Sequence, residues 1–340
     1  MTEEAVLMTP EDRNDLIIIA THQLNQSNKL NLTEAFIEKD LWVTFMLKVI
    51  FELSEYSDLF KFKGGTSLSK GFNVINRFSE DIDLILNSDA LGYSQSNIYS
   101  NRSKNQQNKL NETLDHLTEK WIQDTYIPHL REITQDYGIS NLQFSQDDND
   151  KQTIIVSYPH NHENRYMLTD IRLEIGTLAA RTPSEHVNIT SYLSYASGME
   201  SQILLPNANV DTVAPYRTFW EKATILHSVA SSNKVPPRYS RHYYDVYQMA
   251  HNNSIKQIAF ENYSLLADVV TFKEKFYPSK KSHYESATLT EIKLVPSDKL
   301  IPLLEKDFSE MQDMMLMEPP SFDQIINYLN ELEQEIHDIF

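Results

Sequence analysis

Two short segments of this chain carry residues that could do chemistry. One could bind a phosphate group and the other a metal ion. The first, residues 63–70, is KGGTSLSK and follows a short alternating stretch typical of a strand. A strand that ends in Gly-Gly and turns into a helix directs free backbone N–H groups and the positive helix end at an anion. Side-chain hydroxyls and ammonium groups add phosphate contacts. The candidate phosphate-binding residues are Gly64, Gly65, Thr66, Ser67 and Lys70, with Lys63 as a further cation.

The second segment, residues 77–85, is RFSEDIDLI and has the alternation of a strand. Side chains alternate between the two faces of a strand, so Asp81 and Asp83 project to one side ~7 Å apart while Ile82 and Leu84 face the core. Two carboxylates in this arrangement can bind one or two hard divalent cations such as Mg²⁺. By itself, Asp-x-Asp is equally typical of two exposed acids on an edge strand.

The two segments together point to a metal-bound triphosphate, which needs N–H groups and hydroxyls for its oxygens and carboxylates for its metal. A third acid should come from a neighbouring strand, and residues 167–176 supply two candidates, Asp170 and Glu174. Glu174 is the better candidate. Its alternative is a solvent-facing acid paired with Arg172, and the choice between Asp170 and Glu174 stays open.

Composition limits the classes of function. The 340 residues include 48 acidic and 30 basic side chains, and the net charge of -18 opposes loose attraction to nucleic acid or anionic membranes. The absence of cysteine excludes disulfides, thiolate nucleophiles and Cys-ligated metal sites. The first residues are acidic and the longest aliphatic run, residues 16–20, is far too short to cross a bilayer. We therefore expect a cytoplasmic protein with no membrane partner.

The elements that position these residues are predicted from periodicity and turn residues. A helix follows a cap at Asn31 or Thr33, residues 88–108 form an exposed loop, and a long amphipathic helix over residues 110–130 is disturbed near Pro128. A helix over 67–75 separates the first two strands. The predicted strands are 59–63, 82–86, 152–158 and 167–175, the last two joined by a hairpin around 159–165, and the clearest later helices are 219–231, 241–250 and 323–340.

KGGTSLSK followed by RFSEDIDL resembles the nucleotidyltransferase superfamily, in the form used by the AbiEii/AbiGii toxins of bacterial abortive-infection, type IV toxin–antitoxin systems. Thr66 stands where superfamily members usually carry serine. Further similarity extends from about residue 30 to the end of the chain. It lies in IEKDLWV (37–43), RLEIG (172–176), FWEKA (219–223) and RHYYDVY (241–247).

The resemblance implies an α+β fold with a small mixed nucleotidyltransferase-type sheet, flanking helices and a helical C-terminal region. Residues 1–58 would form an N-terminal helical segment packed on the core. Residues 59–210 would form the nucleotidyltransferase core, and residues 211–340 a helical domain that closes the NTP cleft.

The resemblance also implies a Mg²⁺-dependent transfer of NMP from an NTP to an acceptor, with RNA and specifically the tRNA 3′ end as the expected acceptor. Asp81 and Asp83 would bind Mg²⁺ and Glu174 would complete the site. Lys222 and Asp245 map onto functional positions of the helical half. The alternative role of Asp245 is to orient Lys222 or Arg241. A cognate antitoxin is the expected protein partner.

Two other functions remain as alternatives. Transfer of the nucleotide to a small molecule or a protein is favoured by the net charge of -18. A non-catalytic nucleotide-binding interaction protein is disfavoured, because the phosphate-binding and acidic motifs and the Lys222 and Asp245 positions are all intact.

Three further clusters have simpler interpretations. His160, His162 and Glu163 could imitate a zinc site but fall in the predicted hairpin turn, where solvated polar residues are expected. The methionines of residues 311–317 are typical of core filling. A basic stretch is interleaved with Phe272, Phe276 and Tyr277 and is the candidate RNA contact, with a solvated helix face as its alternative. Its lysines are Lys273, Lys275, Lys280 and Lys281.

Overall fold

The structure is a computed structural model that describes residues 3–28, 30–79, 81–164, 167–196, 203–204, 206–232 and 234–339. The chain divides into two compact units. The first comprises Met1–Phe72 and Phe78–Thr212, and the second comprises Asn73–Arg77 and Val213–Phe340. The short segment Asn73–Arg77 therefore belongs with the C-terminal helices. In sequence it follows the glycine motif and ends at Arg77, the first residue of the acidic motif.

A mixed sheet carries the predicted motifs. Its strand order is β4-β5-β6-β3-β2-β9-β7, and β1 pairs in parallel with β8 in a separate two-stranded sheet. The strands are β1 (Glu3–Glu4), β2 (Phe60–Lys63), β3 (Asp81–Leu86), β4 (Gln143–Gln146), β5 (Thr153–Ser157), β6 (Ile171–Gly176), β7 (Ser184–Thr190), β8 (Ile203–Leu204) and β9 (Asn207–Val213).

Helices precede, separate and follow these strands along the chain, and they make up most of the second unit. The helices of the first unit are α1 (Pro10–Asn28), α2 (Glu34–Lys48), α3 (Gly64–Thr66), α4 (Gln95–Tyr99), α5 (Lys104–Trp121) and α6 (Ile127–Asp136). Those of the second unit are α7 (Pro215–Ala230), α8 (Ser240–His251), α9 (Asn253–Glu261), α10 (Ser264–Phe276), α11 (Ile301–Glu310) and α12 (Phe322–His337). The predicted α+β class with a mixed sheet is confirmed.

The central strands separate an apolar face from a polar face. On β3, Ile82 and Leu84 are fully buried, whereas Asp81 and Asp83 are half-buried. On β6, Ile171, Leu173 and Ile175 are buried and the residues between them are half-buried. Because side chains alternate along a strand, the apolar residues build the core and the acids share the opposite face, as predicted.

Helix α2 begins where the sequence predicted. Thr33 is its N-cap, and the Thr33 side chain accepts a hydrogen bond from the Phe36 N–H. Every residue from Ala35 to Leu47 is buried, so this helix is surrounded by protein on all sides. A helix that is buried all round and still carries charged residues must pair those charges internally.

Two predicted elements were wrong in detail, and two strands of the mixed sheet, β7 and β9, were missed. Residues 88–108 are not an unstructured loop, because Ser94 caps α4 and a capping box at Ser103 begins α5. The helix predicted over 67–75 ends at Gly71. Strands β7 and β9 were not predicted. In each, only two apolar residues alternate with polar ones, Val187 and Ile189 in β7 and Ala208 and Val210 in β9.

The other elements agree more closely with the sequence. β5 and β6 pair antiparallel, although their connection runs from Tyr158 to Asp170 and is longer than a hairpin turn. A widened helical turn, Ile122–Tyr126, precedes Pro128, where the predicted disturbance lies. Among the described residues, no helix is both long and apolar enough to cross a membrane. Met311 and Met315 are buried, as expected for core filling, whereas Met317 is exposed.

Candidate functional site

The strand register brings the predicted acids together. β3 and β6 are parallel, with Asp83 beside Glu174 and Asp81 beside Arg172. On the other side of β3, Asp83 is the register partner of Lys63 at the end of β2. Opposite residues of neighbouring strands project to the same face, so Lys63, Asp83 and Glu174 form one row across the sheet. The polar face predicted from β3 alone therefore extends over three strands.

Of the two candidates for the third acid, Glu174 is the one beside Asp83. Asp170 precedes the first residue of β6, Ile171, and has no register partner on β3. The alternative interpretation of Glu174 is also partly present, because Arg172 Nε lies 3.8 Å from Glu174 Oε1. Arg172 is held more closely by Asp147, with Nη1 2.7 Å from its Oδ2.

The chemistry of Glu174 reflects this crowding of acids. Burial, followed by the negative charges of Asp83 and Asp81, raises the pKa of Glu174 to about 7, although Arg172 opposes the shift. A carboxylate beside like charges is stabilised when protonated or when a cation binds. The carboxylates of Asp81, Asp83 and Glu174, called the acidic row from here on, are therefore electrostatically suited to a divalent cation.

The donor set also fits such an ion chemically, since carboxylate oxygens are preferred ligands of hard divalent cations. Within the described residues, no group of three or more His, Asp or Glu side chains forms a ready-made metal site. This finding also gives no support to zinc at His160, His162 and Glu163. Mg²⁺ commonly takes one or two protein carboxylates and completes its shell with water and substrate phosphate. Asp81 and Asp83 supply two such carboxylates.

The turn of residues 64–71, called the glycine turn from here on, lies directly against this acidic row. Gly64 has φ of +83°, and a Cβ atom there would lie 1.8 Å from Asp83 Oδ2. Position 64 therefore admits only glycine, both for its backbone conformation and for the space that the carboxylate occupies. The first glycine of the Gly-Gly pair therefore has a physical cause at this position.

The hydroxyls of the turn make hydrogen bonds to the backbone. Thr66 Oγ1 donates to the Asp81 carbonyl at 2.5 Å, and Ser67 Oγ donates to the Gly64 carbonyl at 2.8 Å. Both residues are fully buried. In this structure they fix the shape of the turn and tie it to β3, and their predicted contact with phosphate stays a prediction.

Lys70 lies one helical turn beyond the glycines and is engaged by other groups. Its ammonium group forms a buried ion pair with Asp40 of α2 and donates to the Thr190 carbonyl at 3.2 Å. A phosphate contact by Lys70, which also stays a prediction, requires this ion pair to open or to be shared.

The second unit holds the other two predicted residues in one buried cluster. Lys222 Nζ of α7 lies 2.8 Å from Asp245 Oδ2 of α8. Arg77 donates two hydrogen bonds to the same carboxylate, from Nε to Oδ1 and from Nη2 to Oδ2, both 2.8 Å long. Of the two partners considered for Asp245, the structure therefore shows a contact with Lys222, and Arg77 is its second partner.

The charges of this cluster determine its protonation. Burial alone would raise the pKa of Asp245, but Arg77 and Lys222 hold that pKa far below its usual value. Burial and then the Lys222 charge lower the pKa of His242, whose Nδ1 lies 3.5 Å from Lys222 Nζ. The cluster therefore contains two cations, one carboxylate and a neutral imidazole.

Sequence reasoning missed the roles of Arg77 and Asp40. Arg77 opens the RFSEDIDL segment, but nothing local in the sequence indicates a partner 168 positions away. Asp40 lies in an apolar helix, where a buried acid is uncommon. An acidic residue within an apolar helix was the one feature of the sequence that could have indicated the role of Asp40.

Comparison with known proteins identifies the family. Residues 46–328 match the family model described as "Nucleotidyl transferase AbiEii toxin, Type IV TA system". The chain belongs to the AbiEii family. The predicted resemblance is thus confirmed, and the chain is a nucleotidyltransferase. AbiEii membership implies an NTP substrate and an antitoxin partner, and nucleotidyltransferases generally use a divalent metal ion.

Other comparisons are more distant. No curated protein matches the chain. One solved structure that matches is MenT4, a nucleotidyltransferase toxin from Mycobacterium tuberculosis H37Rv. Its sequence identity is 16%, the match covers 95% of this chain and 97% of that one, and the TM-score is 0.41.

Proposed function

We propose that this AbiEii-family chain transfers NMP from an NTP to the 3′ hydroxyl of an RNA, with tRNA as the expected acceptor, in a Mg²⁺-dependent reaction. The observation that supports it best is the row in which Asp83 lies between the glycine turn and Glu174. Phosphate-binding and metal-binding groups are adjacent there, as a metal-bound triphosphate requires.

In the proposed reaction, the acceptor hydroxyl gives up its proton to water as its oxygen forms a bond to the α-phosphorus. The bond from that phosphorus to the bridging oxygen breaks, and pyrophosphate leaves. Asp81 and Asp83 would hold a divalent cation, which supplies neutralisation of the triphosphate and of the leaving group. The backbone of Gly64 and Gly65 would orient the β and γ phosphates. Glu174 completes the acidic row.

Lys222 would stabilise negative charge on the triphosphate from the helical unit. Asp245 holds its ammonium group and also pairs with Arg77. In this proposal Asp245 is a positioning residue, and closure of the NTP cleft by the helical domain of residues 211–340 stays a prediction.

RNA as acceptor is supported by part of the basic stretch. Lys280 and Lys281 are exposed and Tyr277 is 52% exposed, so cations and an aromatic ring are accessible together. Lys273 is not available in the same way, because it donates to the Glu221 carbonyl at 3.0 Å and to Thr224 Oγ1 at 2.7 Å. A small-molecule or protein acceptor is the second candidate, favoured by the net charge of -18.

The test incubates the full chain and Mg²⁺ with each of four α-labelled NTPs, with total RNA, small-molecule hydroxyl acceptors or protein. We expect one or more NTPs to label RNA of tRNA size. Labelling confined to small molecules or protein would favour the second candidate, and no labelling would refute transfer. Asp83→Asn should abolish labelling. Asp148→Asn is the matched control, since the Asp148 side chain is 99% exposed.

The expected biological role is that of a toxin, with a cognate antitoxin as partner. A cytoplasmic location is likewise proposed, since a chain without cysteine suits a reducing compartment. Growth arrest on expression of the wild-type chain but not of Asp83→Asn would support the toxin role.

A further inference from the structure

Helix α2 carries three consecutive charged residues that are all buried, Glu38, Lys39 and Asp40. Successive residues of a helix project about 100° apart, so three neighbours cannot share one partner. Burying a charge without a partner is costly. Each of these residues must therefore find its own partner atoms in the surrounding protein.

Glu38 and Lys39 both hold the connection between β5 and β6. The Glu38 carboxylate accepts hydrogen bonds from the Asn161 N–H, 3.0 Å from each oxygen, and from the His162 N–H at 3.0 Å. Lys39 Nζ donates to the Leu168 carbonyl at 2.9 Å. Leu168 lies three residues before β6, the strand that carries Glu174. This end of α2 therefore sets the approach of the chain to the third acid.

Asp40 holds two other segments. One of its oxygens pairs with Lys70, at the end of the glycine turn. The other accepts hydrogen bonds from Ser191 Oγ at 2.8 Å and from the Tyr192 N–H at 2.7 Å. Lys70 also lies over the Tyr192 ring, 5.3 Å from its centroid. Asp40 thus joins the glycine turn to the segment that follows β7.

We propose that Glu38, Lys39 and Asp40 are positioning residues of the nucleotide site, and that Asp40 in particular holds the glycine turn through Lys70 in the orientation that binds phosphate. The functional part of this proposal rests on the proposed nucleotidyl transfer. The turn is anchored at one end by the Thr66 bond to β3 and at the other by Lys70, so loss of Asp40 frees one of its two ends.

Asp40→Asn in the full chain tests this directly. An asparagine keeps the shape of the side chain. Its NH₂ group, in place of the oxygen that pairs with Lys70, cannot accept a hydrogen bond, while its oxygen still accepts from Ser191 and Tyr192. Asp211→Asn is the matched control. It breaks a second Lys–Asp pair of the same unit, with Lys61 on β2, the strand that leads into the turn.

Two measurements are made on folded protein, and the first needs no nucleotide. Hydrogen exchange of the backbone amides should become at least about tenfold faster over residues 64–71 in Asp40→Asn, and stay unchanged there in Asp211→Asn. The KM for the incorporated NTP should rise about tenfold or more with kcat changed less than about threefold, because binding of the phosphates is what the turn provides.

The outcomes separate this proposal from the proposed function. Unchanged exchange over residues 64–71 in Asp40→Asn overturns the anchoring, whatever the activity. Faster exchange with an unaltered KM overturns the positioning role. If the wild-type chain incorporates no NTP, nucleotidyl transfer fails while the exchange data still decide whether Asp40 holds the turn.

A second variant covers the case in which Asp40→Asn does not fold. Lys70→Met removes the other partner and leaves Asp40 bonded to Ser191 and Tyr192. Exchange should then become faster over residues 64–71. Equal exchange in the turn of Lys70→Met and wild type would contradict the proposal.

Discussion

The carboxylate of Asp83 occupies the space that a side chain on Gly64 would need, with Oδ2 1.8 Å from the position of a Cβ atom. The first glycine of the turn and the second acid of the Asp-x-Asp pair are therefore fitted to each other. A backbone that approaches a carboxylate this closely could present a phosphate to the metal ion that we propose this carboxylate binds.

Gly64→Ala should abolish NTP incorporation, because the new methyl group displaces Asp83. The matched control is Gly92→Ala, since Gly92 also has positive φ, +78°, but has open space around its Cβ position. We expect Gly92→Ala to cost about 1–2 kcal/mol from the left-handed backbone alone and to keep activity. Urea unfolding and incorporation of labelled NTP measure both effects. Similar activity of the two variants would contradict the close fit.

Asp245→Asn should destabilise the chain by about 3–5 kcal/mol, because it leaves two buried cations without their counter-charge. Asp245 is fully buried between Arg77 and Lys222. Glu310→Gln, which breaks the exposed pair with Lys306, should cost less than about 0.5 kcal/mol. Urea unfolding compares them. Because the pKa of Asp245 is lowered in the folded state, its stabilisation is present above its unfolded pKa and is lost as pH falls through acid values.

Lys222→Met should lower NTP incorporation at least about 100-fold with a smaller loss of stability than Asp245→Asn, since Asp245 keeps its two bonds from Arg77. Lys273→Met is a matched control, because Lys273 also bonds within the helical unit, to the Glu221 carbonyl. Single-turnover incorporation and thermal unfolding distinguish the two. A loss of activity in Lys273→Met as large as in Lys222→Met would indicate a purely structural effect.

Glu174→Gln should stabilise the metal-free chain at pH 8 but not at pH 5. The pKa of Glu174 is raised to about 7 by burial and by Asp83 and Asp81, so between pH 4.5 and 7 the folded state binds more protons than the unfolded state. The free energy of unfolding contributed by Glu174 therefore falls as pH rises through this range. Since this side chain is 42% exposed, solvent screening limits the gain to about 1 kcal/mol.

Thermal unfolding in EDTA at the two pH values measures this effect. Added Mg²⁺ should stabilise the wild-type chain more than Glu174→Gln at pH 8, because the cation relieves the same repulsion. An equal response of the two proteins at both pH values would show that Glu174 is not part of the acidic row.

The amino-acid sequence alone predicted the strands β2, β3, β5 and β6, since alternation of apolar residues depends only on local geometry. It also predicted the shared face of Asp81 and Asp83 and the glycine turn before them. It did not predict β7 and β9, where only two apolar residues alternate with polar ones in an otherwise polar stretch. Helix α4 was missed because its start depends on capping by Ser94, a weak signal in a polar stretch.

Only the tertiary structure decided which distant residues meet. The choice of Glu174 over Asp170 beside Asp83 depends on the register between two strands that are far apart in sequence. The partners of Asp245 and Lys70 depend on side chains from other elements, Arg77 and Asp40. Local patterns record the period of a strand or helix, whereas register and buried charge pairing are set by packing of the whole chain, which no short window of sequence contains.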